Sequence, residues 1–147
     1  ACNYLPNALM KKEAVELGVD FTLAFDEQGR LAEGATENAG LLTPEGDLRV
    51  PTPERILAGT TMNRVLELAQ TLVEKGILRS AGPTPISRVD LHRAREIFIF
   101  GTTPDVTSVV HFEGRVVGDG QPGSVAQALG RLLEADLHTT SDHITPA

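Results

Sequence analysis

Cysteine and aromatic residues are scarce in this sequence. Of 147 residues one is cysteine (Cys2), none is tryptophan, one is tyrosine and five are phenylalanine. One cysteine cannot close an internal disulfide or build a zinc site, and its use fits a reducing, cytoplasmic setting. So few aromatics leave no stacking platform for a single strand. The 13 basic residues are scattered among 20 acidic ones, for a net charge of −7. No nucleic-acid partner is therefore expected, and the acidity reads as solubility. No apolar run approaches ~18 residues, so neither a transmembrane helix nor a membrane partner is expected. The opening ACNYLPNALMKK has no basic stretch followed by an apolar one and does not read as a signal peptide. His92, His111, His138 and His143 are widely spaced, without the i, i+4 pairing of a metal helix. A nucleophile-elbow serine, a Walker A loop and a dinucleotide fingerprint are also missing.

What is present is the make-up of one domain of ordinary globular composition, 41% apolar and 22% charged. Leu5, Leu9, Ala14, Val15 and Leu17, with Pro6 in the first turn and Gly18 as the stop, predict a helix over 5–17. Residues 21–25 and 30–32 flank Asp26-Glu27-Gln28-Gly29 as a hairpin. Residues 39–42 and 48–50 flank Pro44-Glu45-Gly46-Asp47 as a second. Residues 33–38 read as a loop or strand exit, and 51–61 as an irregular loop. Met62, Val65, Leu66, Ala69, Leu72 and Val73 form the clearest helical stripe, with Thr60 or Thr61 as its cap and Gly76 as its end. A strand is expected over 77–81, a short helix over 87–94, a buried strand over 97–100 and an alternating strand over 106–112. A turn at Glu113-Gly114 then leads into 115–117, and a final helix runs to about Leu137, before a polar, frayed tail over 138–147. Hairpins interspersed with helices predict an α+β (mixed α/β) fold rather than a doubly wound parallel sheet.

Two loops have the chemistry of an anion site. Leu57-Ala58-Gly59-Thr60-Thr61 stands directly before the strong helix, where backbone N–H groups and threonine hydroxyls point outward. Gly101-Thr102-Thr103 follows the buried strand, and its glycine admits a close backbone approach. Each alone also reads as an ordinary cap or turn. A third segment, Glu33-Gly34-Ala35-Thr36-Glu37-Asn38, gathers two carboxylates and an amide, and alone also reads as a solvated loop.

In order, NYLPNALMKKEA, DEQGRLAEGATEN, ILAGTTMNRVLELA and IFIFGTTPDVTSVV with the following GR and GDGQPG cover nearly the whole chain. This series resembles the class IV (fold type IV) pyridoxal-phosphate-dependent aminotransferases. These include branched-chain and D-amino-acid aminotransferases and the related aminodeoxychorismate lyases. The resemblance implies a mixed sheet curled into a pseudo-barrel with packed helices, matching the family's C-terminal, larger domain over 1–137. It implies pyridoxal 5'-phosphate as cofactor, amino acid and 2-oxo acid as substrates, and a homodimer.

Residue by residue, the resemblance places Glu33 against the pyridine nitrogen, Tyr4 on the phenolic oxygen and Leu57 on the ring face. Gly59, Thr60 and Thr61 cradle the phosphate, and Thr102 contacts it from the other side. The backbone of Thr102 and Thr103 is placed for a substrate carboxylate, and Asn38 orients the loop. The family's Schiff-base lysine falls just before Ala1, outside the chain, as does its smaller N-terminal domain. Lys11, Lys12 and Lys75 are out of register and read as surface lysines. Transamination of branched-chain or other aliphatic amino acids is the expected reaction. D-amino-acid transamination, the lyase reaction and a non-catalytic domain binding a phosphorylated ligand are the alternatives.

Overall fold

The structure is a computed structural model that describes residues 4–103 and 105–141. The chain opens with α1 (Leu5–Leu17), whose Gly18 takes the left-handed conformation at φ 65° and returns its N–H to the Val15 carbonyl. Only Ala14 of this helix is buried. The hairpin β1 (Leu23–Phe25) and β2 (Leu31–Gly34) follows, antiparallel about the expected turn. Then come β3 (Asn38–Leu42), β4 (Asp47–Val50), a 3-10 turn (Pro53–Arg55), α2 (Thr60–Glu74), β5 (Ser80–Pro83), α3 (Arg88–Arg93) and β6 (Glu96–Gly101). The chain ends with β7 (Asp105–Val109), β8 (His111–Phe112), β9 (Arg115–Val116) and α4 (Ser124–Ser141).

Five strands form a mixed sheet in the order β5-β4-β3-β6-β7, antiparallel except for the parallel β4–β5 pair. Two-stranded ribbons β1–β2 and β8–β9 stand apart from it. Strand periodicity divides the interior into two cores. Phe98 and Phe100 of β6 meet Met62, Val65, Ala69 and Leu72 of α2 and Val125, Leu129 and Leu133 of α4. Ile97 and Ile99 point the other way, onto Leu31, Ile86, Leu91 and the β1 ribbon. Each of these large buried side chains contributes about 1.5–3 kcal/mol, which is why the short IFIF run lies on an inner strand, between β3 and β7.

Local chemistry moves several expected boundaries. The N-cap of α2 is Gly59, with no side-chain cap, so neither Thr60 nor Thr61 is the cap; both lie in the first turn. The strand expected over 77–81 begins at Ser80. The N–H groups of Ile77 and Leu78 both return to the Leu72 carbonyl and finish the helix instead. The last helix continues to Ser141, so residues 138–141 are helical rather than a frayed tail. The rest of that tail, with His143, lies outside the described residues, as do Cys2 and Asn3.

Asp47 explains why β5 joins β4. Its buried carboxylate accepts from Arg79 Nε and Ser80 Oγ, both at 2.7 Å, and from Arg79 Nη2. The Arg79 hydrogen bonds hold its pKa down at about 2 against the opposing effect of burial, with Ser80 and the charges of Arg79 and Arg49 adding to the shift.

Candidate active site

The site lies at one end of the β3–β6 pair. Asn38, the first residue of β3, pairs with Phe100, so the start of β3 stands beside the exit of β6 at Gly101-Thr102. A cavity of about 330 Å³ opens there. Glu33 and Asn38 wall one side, the 57–61 loop another, and Phe100, Gly101 and Thr102 a third. The two threonine loops and the acidic segment, far apart in the chain, therefore face one space.

Asn38 sets the shape of the 57–61 loop. Its Nδ2 donates to the Leu57 carbonyl at 2.8 Å. Its Oδ1 lies so close to Gly59 that a Cβ there would overlap it. Glycine at 59 is therefore required by the amide beside it. Glu33 reaches the same loop, its Oε2 accepting the Leu57 N–H at 3.0 Å. The segment 57–59 is thus held from two strands, with its Leu57 side chain 79% exposed on the cavity wall. Behind it α2 begins without a side-chain cap, and Thr60 and Thr61 bring their hydroxyls and N–H groups to the positive end of the helix.

The second carboxylate of the acidic segment has different work. Glu37 accepts from the Thr36 N–H at 3.1 Å and from the Thr36 hydroxyl, while its own carbonyl accepts the Gly34 N–H at 2.7 Å. It braces its own loop. Tyr4 and Thr103 are not on the cavity wall: Tyr4 is the N-cap of α1, 58% exposed, and Thr103 is the exposed neighbour of Thr102. Two contributors carry no motif that could announce them. Phe100 closes the floor from the core. Asn7 of α1 donates from Nδ2 to the Ala35 carbonyl at 2.7 Å. Among the described residues no group of three or more His, Cys, Asp or Glu could hold a metal ion.

Fold and cavity together give an α+β domain whose cavity is lined by hydrogen-bond donors at a helix start and by the Glu33 carboxylate. The sequence model described as amino-transferase class IV matches residues 1–112. A probable branched-chain-amino-acid aminotransferase of Aquifex aeolicus is 36% identical over 127 residues, which is 86% of this chain and 39% of that one. A chloroplastic D-amino-acid transaminase of Arabidopsis thaliana is 32% identical over 138 residues, 93% of this chain and 37% of that one. Among solved structures, an aminotransferase from Brucella abortus bound to the cofactor PLP superposes with a TM-score of 0.80 at 31% identity, covering 94% of this chain and 46% of that one. The chain belongs to the class IV aminotransferases, and it spans about two-fifths of the length of the curated relatives it matches.

Proposed function

We propose that this chain is the cofactor-binding domain of a pyridoxal-phosphate-dependent aminotransferase. The observation that carries the reading is the convergence of Glu33, the uncapped start of α2 and Thr102 on one cavity. The donor set fits the cofactor. A phosphate needs N–H and hydroxyl donors at a positive helix end, and Gly59, Thr60, Thr61 and Thr102 supply them. A pyridinium N–H needs a carboxylate, and Glu33 faces the cavity with Oε2 already fixed by the Leu57 N–H. When bound, pyridoxal phosphate supplies a sink for the electron pair left on a substrate carbon as its proton departs.

This chain's residues hold and orient. Glu33 keeps the proton on the ring nitrogen, Leu57 covers a ring face, and Asn38 fixes the loop that carries the phosphate donors Gly59, Thr60 and Thr61. The Thr102 backbone serves the substrate carboxylate from the cavity wall, while the roles of Tyr4 on the phenolic oxygen and of Thr103 beside Thr102 rest on the family resemblance alone. The reaction is the transfer of an amino group between an amino acid and a 2-oxo acid by a cytoplasmic homodimer. Branched-chain amino acids are the first substrates, because the Aquifex aeolicus relative carries that name. D-amino acids are the second reading, on the Arabidopsis relative.

In the full-length protein, Glu33→Gln tests the assignment. Cofactor affinity should stay nearly unchanged while the rate of Cα proton loss falls about a hundredfold, measured by solvent-isotope exchange into leucine. An unchanged rate would place the ring nitrogen elsewhere. Failure of the wild-type protein to form the 2-oxo acid from leucine or D-alanine would remove the reading.

A further inference from the structure

Helix α1 is held to the rest of the molecule by little. It buries one side chain, Ala14. Leu5, Leu9, Val15 and Leu17 are all more than half exposed. Among the described residues two side-chain hydrogen bonds tie it down. Near its middle the Thr22 hydroxyl donates to the Met10 carbonyl at 3.1 Å. At its near end, one turn from Tyr4, Asn7 Nδ2 donates to the Ala35 carbonyl at 2.7 Å. A carbonyl only accepts, so the Asn7 amide group can face it in one orientation alone. Ala35 is buried and sits between Glu33 and Glu37 in the loop closed by the Gly34 N–H to the Glu37 carbonyl.

We propose that Asn7 is a positioning residue for the site: its bond to Ala35 fixes the acidic loop, and Glu33 with it, relative to α1 and Tyr4. The geometry is a short lever. The Ala35 carbonyl is two residues from the Glu33 carboxylate, which in turn holds the Leu57 N–H. A shift of the loop at Ala35 therefore moves Glu33 against the 57–59 segment. Asn7 touches neither the cavity nor a reacting group and acts only through Ala35.

The catalytic consequence rests on the pyridoxal-phosphate reading; the structural one does not, and the test separates them. The full-length holoenzyme is compared as wild type, Asn7→Asp and Thr22→Val. Asn7→Asp keeps the shape and turns the donor into an acceptor opposite a carbonyl. Thr22→Val cuts the other tie of the same helix. In Asn7→Asp, amide hydrogen exchange over residues 34–38 should quicken about tenfold, the scale of one lost hydrogen bond. The kcat should fall by a similar factor with KM nearly unchanged. Thr22→Val should alter neither. Unchanged exchange over 34–38 in Asn7→Asp, or equal changes in both variants, overturns the proposal. So does quickened exchange with an unaltered kcat in an active enzyme. A wild type that binds no cofactor refutes the pyridoxal-phosphate reading instead, and the exchange result then decides for or against Asn7 alone.

Discussion

Helices α2 and α4 pack on the same face of the sheet, yet their first turns meet opposite company. The start of α4 is closed from within. Glu96, the first residue of β6, accepts the N–H groups of Val125 at 3.1 Å and Ala126 at 2.8 Å in a buried setting. The start of α2 is open: its N-cap is Gly59, no side chain caps it, and its first turn looks into the cavity. Both helices follow a glycine that a strand-starting side chain crowds, Asn38 at Gly59 and Glu96 at Gly123. The difference is charge. The carboxylate at α4 satisfies that helix end with the protein's own anion. The neutral amide at α2 shapes the loop and leaves that helix end without an anion of the protein's own. What the neighbouring strand supplies or withholds leaves one helix start closed and the other open.

The comparison can be broken most forcefully at α4. Glu96→Ala leaves two buried N–H groups without their carboxylate and should cost about 3 kcal/mol, read from the urea midpoint. Phosphate affinity should be untouched. A loss within experimental scatter would mean that α4 does not depend on its internal anion. At α2 the effects should be reversed. Thr61→Val in the full-length protein should change unfolding by no more than about 0.5 kcal/mol and weaken pyridoxal phosphate binding about tenfold. Equal stability losses in the two variants would make the two helix starts alike.

A second buried carboxylate, Asp47, sharpens the contrast because side chains rather than a helix end hold it. Its folded pKa of about 2 lies below the ordinary 3.8. Its stabilisation is therefore complete above about pH 4 and is lost as the pH falls from there toward 2. Asp47→Asn should flatten stability across that window and lower it at neutral pH. An unchanged acid limb would assign acid unfolding to other groups. This effect is the smallest of the three, since Arg79 is 60% exposed and screened by water.

Much of this was legible in the sequence where the signal was local. The α2 stripe, the Gly18 stop and the hairpin glycines each fix structure within a few residues, and the elements follow. The two threonine loops and the acidic segment were also visible as chemistry, because helix starts and strand exits carry their own donors. What escaped depends on distant partners. Glu96 caps a helix 29 residues away, and nothing around it in sequence marks a cap. Asn7 finds Ala35 only after α1 and the β1 ribbon have folded back. The start of β5 was misplaced because Asp47, 32 residues earlier, selects Arg79 and Ser80. Gly59 replaced Thr60 and Thr61 as the cap because Asn38 occupies the space a side chain would need.

The alternation in β6 has a consequence for how this domain tolerates change. Ile97 and Ile99 serve one core, Phe98 and Phe100 the other, and the same strand delivers Gly101 and Thr102 to the cavity. Inserting or deleting a single residue there would invert the parity of the strand. It would exchange the occupants of both cores and turn Thr102 away in the same event. The exposed turn Glu27-Gln28-Gly29 carries no such coupling, so lineages of this domain should vary in length there and keep β6 invariant in length.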